Sequence, residues 1–263
     1  GVQILIRTSV KKIKLAAGVG LAGLVSAALV AGSVSLARAE QTAAAQTSAV
    51  VSQSQDTAKV QPVTASYDVY FGGFHVMSST ANYARGDTDY TVSATGRTQG
   101  ILEFFFEWAG ETRTIGRFNG PHVLPTLHES RGQGSSEERR MSIRYDETGE
   151  VVDFVVEPTP DPEEITPLPE NAEVGTIDPL TVFADLGRSV SEGRGCSGTY
   201  AVFDGKRRYD LKISDRGEKA LKPTSYSVFS GPALACHVEW EMQGGARREK
   251  NKYSRTARDR TVY

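Results

Sequence analysis

The sequence predicts a mainly β fold in which a curved antiparallel sheet, unclosed or wound as a spiral barrel, wraps one central α-helix. Three observations carry this. Most segments from residue 65 onward alternate apolar and polar residues with period two, the pattern of strands with one wet face. Short turn signals such as Gly72-Gly73 and Asp146–Gly149 separate them, as hairpins require. One stretch instead spaces Leu180, Phe183, Leu186 and Val190 by three and four residues, which makes a one-sided helix. A lone amphipathic helix among strands must bury its stripe against a concave surface, so the sheet has to bend around it.

The chain opens with Arg7, Lys11, Lys12 and Lys14, followed by an uncharged run from Leu15 to Ala37 and the small-x-small site Ala37-Arg38-Ala39. This is the pattern of a secretory signal, with cleavage expected after Ala39. The run is long enough to span a bilayer as a retained anchor, but its Gly, Ala and Ser content favours cleavage. Residues 40–64 are Ala, Gln, Ser and Thr with almost no aromatics, too little apolar surface to offset ordering, and are expected to be a disordered linker. Residues 65–263 then form a single β-rich domain.

Tyr67, Val69 and Phe71 alternate before Gly72-Gly73, and Phe74, Val76 and Ser78 resume beyond it, a hairpin; Arg85-Gly86-Asp87 turns into a third strand at Tyr90–Val92. The run Gly100–Trp108, GILEFFFEW, is the densest aromatic stretch and reads as either a strand or a short helix at a barrel mouth. Because exposed large apolar surface is unusual, the core is the preferred place for these rings over a contact surface. If they line a cavity, Leu102, Phe104, Phe105, Phe106, Trp108 and the helical Phe183 are the candidate ligand-binding residues. Strands follow at Glu111–Phe118, Leu124–Arg131, Glu138–Tyr145 and Val151–Glu157; within the third, Met141, Ile143 and Tyr145 alternate with Ser142 and Arg144.

Between Glu150 and Asp178 lie nine acidic residues, no Lys or Arg, and five prolines, a surface linker into the helix. Asp178 is a good N-cap, Pro179 suits the first helical position, and Gly193 and Gly195 end the run. After the Asp204-Gly205 turn, Tyr209, Leu211 and Ile213 alternate, as do Cys236, Val238, Trp240 and Met242. The basic cluster Lys206-Arg207-Arg208 reads as a solvated strand edge that discourages sheet-to-sheet pairing, or as a contact for envelope proteins or anionic lipid or polysaccharide. Without residues 1–39 the chain carries 25 Lys/Arg and 32 Asp/Glu, a net charge of −7, which argues against nucleic acid as a partner. Cys196 and Cys236 are the only cysteines, and an oxidising compartment would let them pair; two free buried thiols are the alternative.

The segments YDVYFGG, GILEFFFEWAGETRTIGRF, TIDPL with its helix, FDGKRRYDL and SGPALACHV together resemble an exported bacterial family known as domain of unknown function 3108. The resemblance covers about Tyr67 to Trp240, and FDGKRRYDL with its flanking cysteines is the most specific part. It implies an exported protein with an architecture similar to periplasmic lipoprotein carriers and an apolar concavity, but not the carriers' activity; the amphipathic helix, the aromatic run and export make lipid or a lipoprotein the expected partner. It implies no catalytic residue, since the family has none assigned, and fold alone does not fix function.

Catalytic patterns are missing from the residues themselves. There is no G-x-S-x-G, no paired-histidine zinc motif and no phosphate-cradling glycine loop between a strand and a helix. His75, His122, His128 and His237 are far apart in sequence and read as scattered core or surface histidines. The expectation is a non-catalytic, cofactor-free binding protein for an apolar ligand or partner segment. Its alternatives are an interaction domain with a filled core and, last, an unrecognised hydrolase.

Overall fold

The computed structural model describes residues 2–7, 62–71, 73–134, 137–224, 229–248 and 258–263. The Ala37-Arg38-Ala39 site and the linker up to residue 61 lie outside them. An antiparallel meander of eight strands runs in simple order: β1 (Val2–Arg7), β2 (Val63–Phe71), β3 (Phe74–Arg85), β4 (Asp89–Thr98), β5 (Trp108–Asn119), β6 (His122–Gly134), β7 (Glu138–Tyr145) and β8 (Val151–Glu157). A short helix, α1 (Ile101–Phe105), joins β4 to β5. After the long helix α2 (Pro179–Ser191) come β9 (Gly198–Phe203), β10 (Arg208–Leu221), β11 (Gly231–Gly244) and β12 (Arg258–Val262), which form a second sheet in the order β12-β11-β10-β9. The fold is the expected mainly β one, with a curved sheet that does not close around its central helix, and the chain divides its strands between two sheets.

Helix α2 begins where the sequence places it. The Asp178 carboxylate accepts the Leu180 and Thr181 backbone N–H groups at 2.9 and 3.0 Å, and Pro179 stands first. Gly193 and Gly195, both at positive φ, follow its end. Its buried surface differs from the expected stripe. Phe183 and Val190 are exposed, whereas Thr181, Val182, Ala184, Arg188 and Ser189 are buried. The reason is that α2 is covered from two sides. Leu180 and Ala184 pack on Tyr83, Tyr90 and Val92 of the large sheet, and Val182 and Leu186 pack on Val202, Ile213 and Val238 of the small one. A helix held between two sheets has no single apolar face, and the buried Thr181 hydroxyl and both terminal nitrogens of Arg188 find partners. Arg188 donates to the carbonyls of Gly120 and Pro121 at 2.9 and 2.7 Å and lies over the Phe118 ring at 4.6 Å.

The acidic, proline-rich stretch before α2 is tied down at several points rather than being only a surface linker. Ile165 bridges to Arg247, Thr166 exchanges backbone bonds with Gly245 and Ala246, Ala172 and Thr176 are buried, and Ile177 pairs in parallel with Val202. Cys196 and Cys236 form a disulfide with their Cα atoms 6.0 Å apart, joining the segment after α2 to β11. The alternation in β7 holds, with Ile143 and Tyr145 in a core cluster with Phe203 of β9 and Arg144 in solvent.

Candidate functional site: an open cleft on the concave sheet

The inner face of the large sheet follows from its register. Gly96 pairs with Gly110 and Gly110 with Gly132, so three glycines stand side by side on β4, β5 and β6. Because partners in an antiparallel ladder share a face, these positions form a trough without side chains of its own. The Trp108 indole lies in it. A Cβ on Gly96 would sit 3.4 Å from Cζ3 of that ring, one on Gly110 2.6 Å from Cζ2, and one on Gly132 3.4 Å from Nε1, so the ring spans all three strands. Farther along the same face, Thr114 and His128 meet the N-terminus of α2, and beyond them the helix fills the concavity.

Helix α2 does not reach the glycine row, and an open cleft of about 470 Å³ remains there, a size suited to a small ligand. Its floor includes Trp108, Met77 and the glycines, Leu180 closes it on the helix side, and the Asp204–Arg207 turn overhangs it. That turn comes close because Gly205 has no side chain: at φ 82° its Cβ would lie 2.7 Å from Met141 Cγ. Lys206 and Arg207 therefore sit in a hairpin turn over the cleft, and Arg208 opens β10, an inner strand between β9 and β11. The strand-edge reading of this cluster is corrected accordingly.

At the base of the cleft is a polar cluster that sequence separation conceals. Asp178, fully buried, accepts from the Thr114 hydroxyl at 2.7 Å and the Thr181 hydroxyl at 2.6 Å. His128 Nδ1 lies 2.7 Å from Thr114 Oγ1 and 3.2 Å from Asp178 Oδ1. Since the Thr114 proton points to Asp178, Nδ1 carries its own proton toward the pair. Burial pushes the Asp178 carboxyl up, but the bond and charge of His128 together with both threonine hydroxyls outweigh it and hold the group below the ordinary carboxylate range. Outwardly this is a hydroxyl, a histidine and a carboxylate. The hydroxyl, however, donates to the carboxylate, is fully buried, and presents nothing to a substrate. Its geometry is that of a lock joining β5 and β6 to the helix start. Among the described residues no group of three or more His, Cys, Asp and Glu side chains is arranged to hold a metal ion.

The aromatic run behaves differently from expectation. It forms the short helix α1, as one of the two readings had it, but its rings are not core: Phe104 is 85 % exposed, Phe105 75 % and Phe106 50 %, with only Leu102 and Trp108 half-buried. The five-residue helix joins β4 to β5 and buries none of its residues, so its rings stay outside the cleft. Phe183 does not join them. It meets the Tyr83 ring edge-on at 6.0 Å, six positions along β3 from the Met77 beside Trp108, roughly 20 Å away at the rise of a strand. Of the six sequence candidates, then, Trp108 lines the cleft, Phe104–Phe106 form an exposed patch beside it in the chain, Leu102 just before them is half-buried, and Phe183 lies elsewhere.

Residues 66–263 match the family model described as Protein of unknown function (DUF3108). The chain belongs to that family. No curated protein and no solved structure matches it. The match takes in every strand from β3 onward and both helices, so the glycine trough, Trp108 and the Asp178 cluster all lie within the DUF3108 region. Two expectations test how this DUF3108 cleft is built. Gly110→Ala forces the indole off its floor: the emission of Trp108, read in a Trp240→Phe background, shifts, and overpacking costs about 1–3 kcal/mol in urea denaturation. Phe104→Ser and Phe105→Ser each change the unfolding free energy by less than about 0.5 kcal/mol, as at other exposed positions, whereas buried rings would cost several times that.

Proposed function

We propose that this is an exported protein of the bacterial periplasm that binds an apolar ligand, a lipid or acyl group, or a partner segment carrying one, and performs no chemistry on it. The observation that supports this best is the open end of the concave sheet, where Trp108 and Met77 present apolar surface in a cleft of ligand size. The exposed phenylalanines of α1 add a contact surface for a lipid-bearing partner. Export is supported by the basic and apolar opening of the chain and by the disulfide, which suits an oxidising compartment.

Native mass spectrometry of the protein taken from the envelope by mild extraction tests the binding reading. Adducts of lipid or fatty-acid mass are expected, and they diminish in Trp108→Ala. Bare protein alone, together with no binding of added fatty acid, would sink it. Intact mass tests export: a mature chain starting at Glu40 in the periplasmic fraction is expected, and a chain retaining residues 1–39 in the cytoplasm would refute it.

A further inference from the structure

The charges around the cleft are unbalanced in a specific way. Arg131, Arg139, Arg140, Lys206 and Arg207 line it, against the carboxylates of Glu111 and Asp204. Two of these cations are firmly engaged. Arg140 is bound twice by Glu138, at 2.9 and 3.0 Å, and Arg207 donates to Asp204 at 2.7 Å. The other oxygen of Asp204 is occupied by the backbone N–H groups of Lys206 and Arg207. Glu111 stands opposite Arg131 in the β5–β6 register, on the other face of β5 and β6 from the glycine row. Lys206 is different: it is half-buried, and among the described residues its ammonium forms no ion pair. Arg139 has only Glu137, 3.8 Å away and too far for a hydrogen bond. Burial and then the neighbouring Arg139 charge lower the Lys206 pKa, with Asp204 and Glu137 opposing more weakly. Two cations thus approach the cleft from opposite walls, β7 and the β9–β10 turn, beside an apolar floor, and among the described residues neither is hydrogen-bonded to a carboxylate, although Glu137 and Asp204 stand near.

We propose that the cleft takes an anionic amphiphile, whose single carboxylate or phosphate head is held by Lys206 and Arg139 while its apolar body lies on Trp108 and Met77. This rests on the apolar-ligand reading above and narrows it to a class. An anion relieves the repulsion between two under-compensated cations, and each charge-assisted hydrogen bond in a partly desolvated site contributes more than a neutral one. A neutral amphiphile of the same length loses that gain, and a cationic one meets repulsion as well.

The test uses the mature chain and four probes of one length: decanoate, decyl phosphate, decanol and decyltrimethylammonium. Binding is followed by calorimetry and by Trp108 emission in the Trp240→Phe background. Decanoate or decyl phosphate is expected to bind about 10- to 100-fold more tightly than decanol, the span of one charged hydrogen bond, with the cationic probe weakest. The tighter of the two anions distinguishes a carboxylate from a phosphate ligand. Lys206→Met combined with Arg139→Met is expected to bring the anion-to-alcohol ratio toward one. Equal affinity for decanoate, decyl phosphate and decanol in the unmodified protein would overturn the anionic-head proposal and leave the apolar cleft standing. No binding by any probe would overturn both. Affinity for decanoate and decyl phosphate that survives unchanged in Trp108→Ala would place the site away from the cleft and overturn the proposal too.

Discussion

Asp178→Ala is expected to destabilise the domain by about 3–5 kcal/mol, the range for breaking a buried hydrogen-bonded cluster around a carboxylate. The size follows from what this one carboxylate holds. It caps α2 through two backbone N–H groups, receives two threonine hydroxyls, and faces His128, all in a fully buried place. An N-cap alone is worth about 1 kcal/mol, so a loss near that value would mean the buried cluster adds nothing. Urea denaturation of the variant decides between them. Asp178→Asn keeps one acceptor for the helix start but turns an N–H₂ donor toward groups that also donate, and a loss between wild type and Ala is expected. The acid side gives a second measurement. The Asp178 pKa is lowered in the folded protein, so its contribution to stability is present above the unfolded carboxylate value of about 3.9 and disappears as pH falls through the folded value. The gap in unfolding free energy between wild type and Asp178→Asn should therefore hold from pH 7 down to about pH 4 and narrow below it. A gap that widens on acidification would contradict the pairing.

What the sequence makes legible, and what it does not, divides along the range of the interactions. Period-two alternation, hairpin glycines and the Asp178-Pro179 start are local, and the strands and α2 stand where those signals put them. Burial is not local. Phe183 has the spacing of a core residue but faces out, because the second sheet draws Val182 and Leu186 to the opposite side of the helix. Phe104–Phe106 have core composition, yet a helix of five residues between adjacent strands has no interior to place them in. The cleft was hidden for a related reason. Gly96, Gly110 and Gly132 look unremarkable singly and become a trough only through the β4–β5–β6 register. A signal was available in GxxxxxxxxxxxWxG, a tryptophan two places before a glycine on one strand face, but it has meaning only once the neighbouring glycines are known to lie beside it. His128 and Asp178, fifty residues apart, likewise meet only through the packing of α2 on β6.

Removing the disulfide by Cys196→Ser with Cys236→Ser is expected to cost about 4 kcal/mol, the chain-entropy value for a closed loop of this length. The loop contains β9, β10 and most of the approach to β11, so the open form gains freedom for three of the four strands of the small sheet. These strands form the second wall of α2, with Val202, Ile213 and Val238 against Val182 and Leu186. They also carry the Asp204–Arg207 turn that overhangs the cleft. If the bridge acts only through the unfolded chain, stability falls while ligand affinity of the folded protein is unchanged. If it also positions the turn, affinity for an anionic amphiphile falls with it, even under conditions where the serine variant is fully folded. Calorimetric titration well below the melting temperature separates the two, and the first outcome is expected, because Ile177 pairs with Val202 and the Tyr200 hydroxyl donates to Asp185 of the helix at 2.9 Å, contacts that hold β9 against α2 without the sulfur atoms.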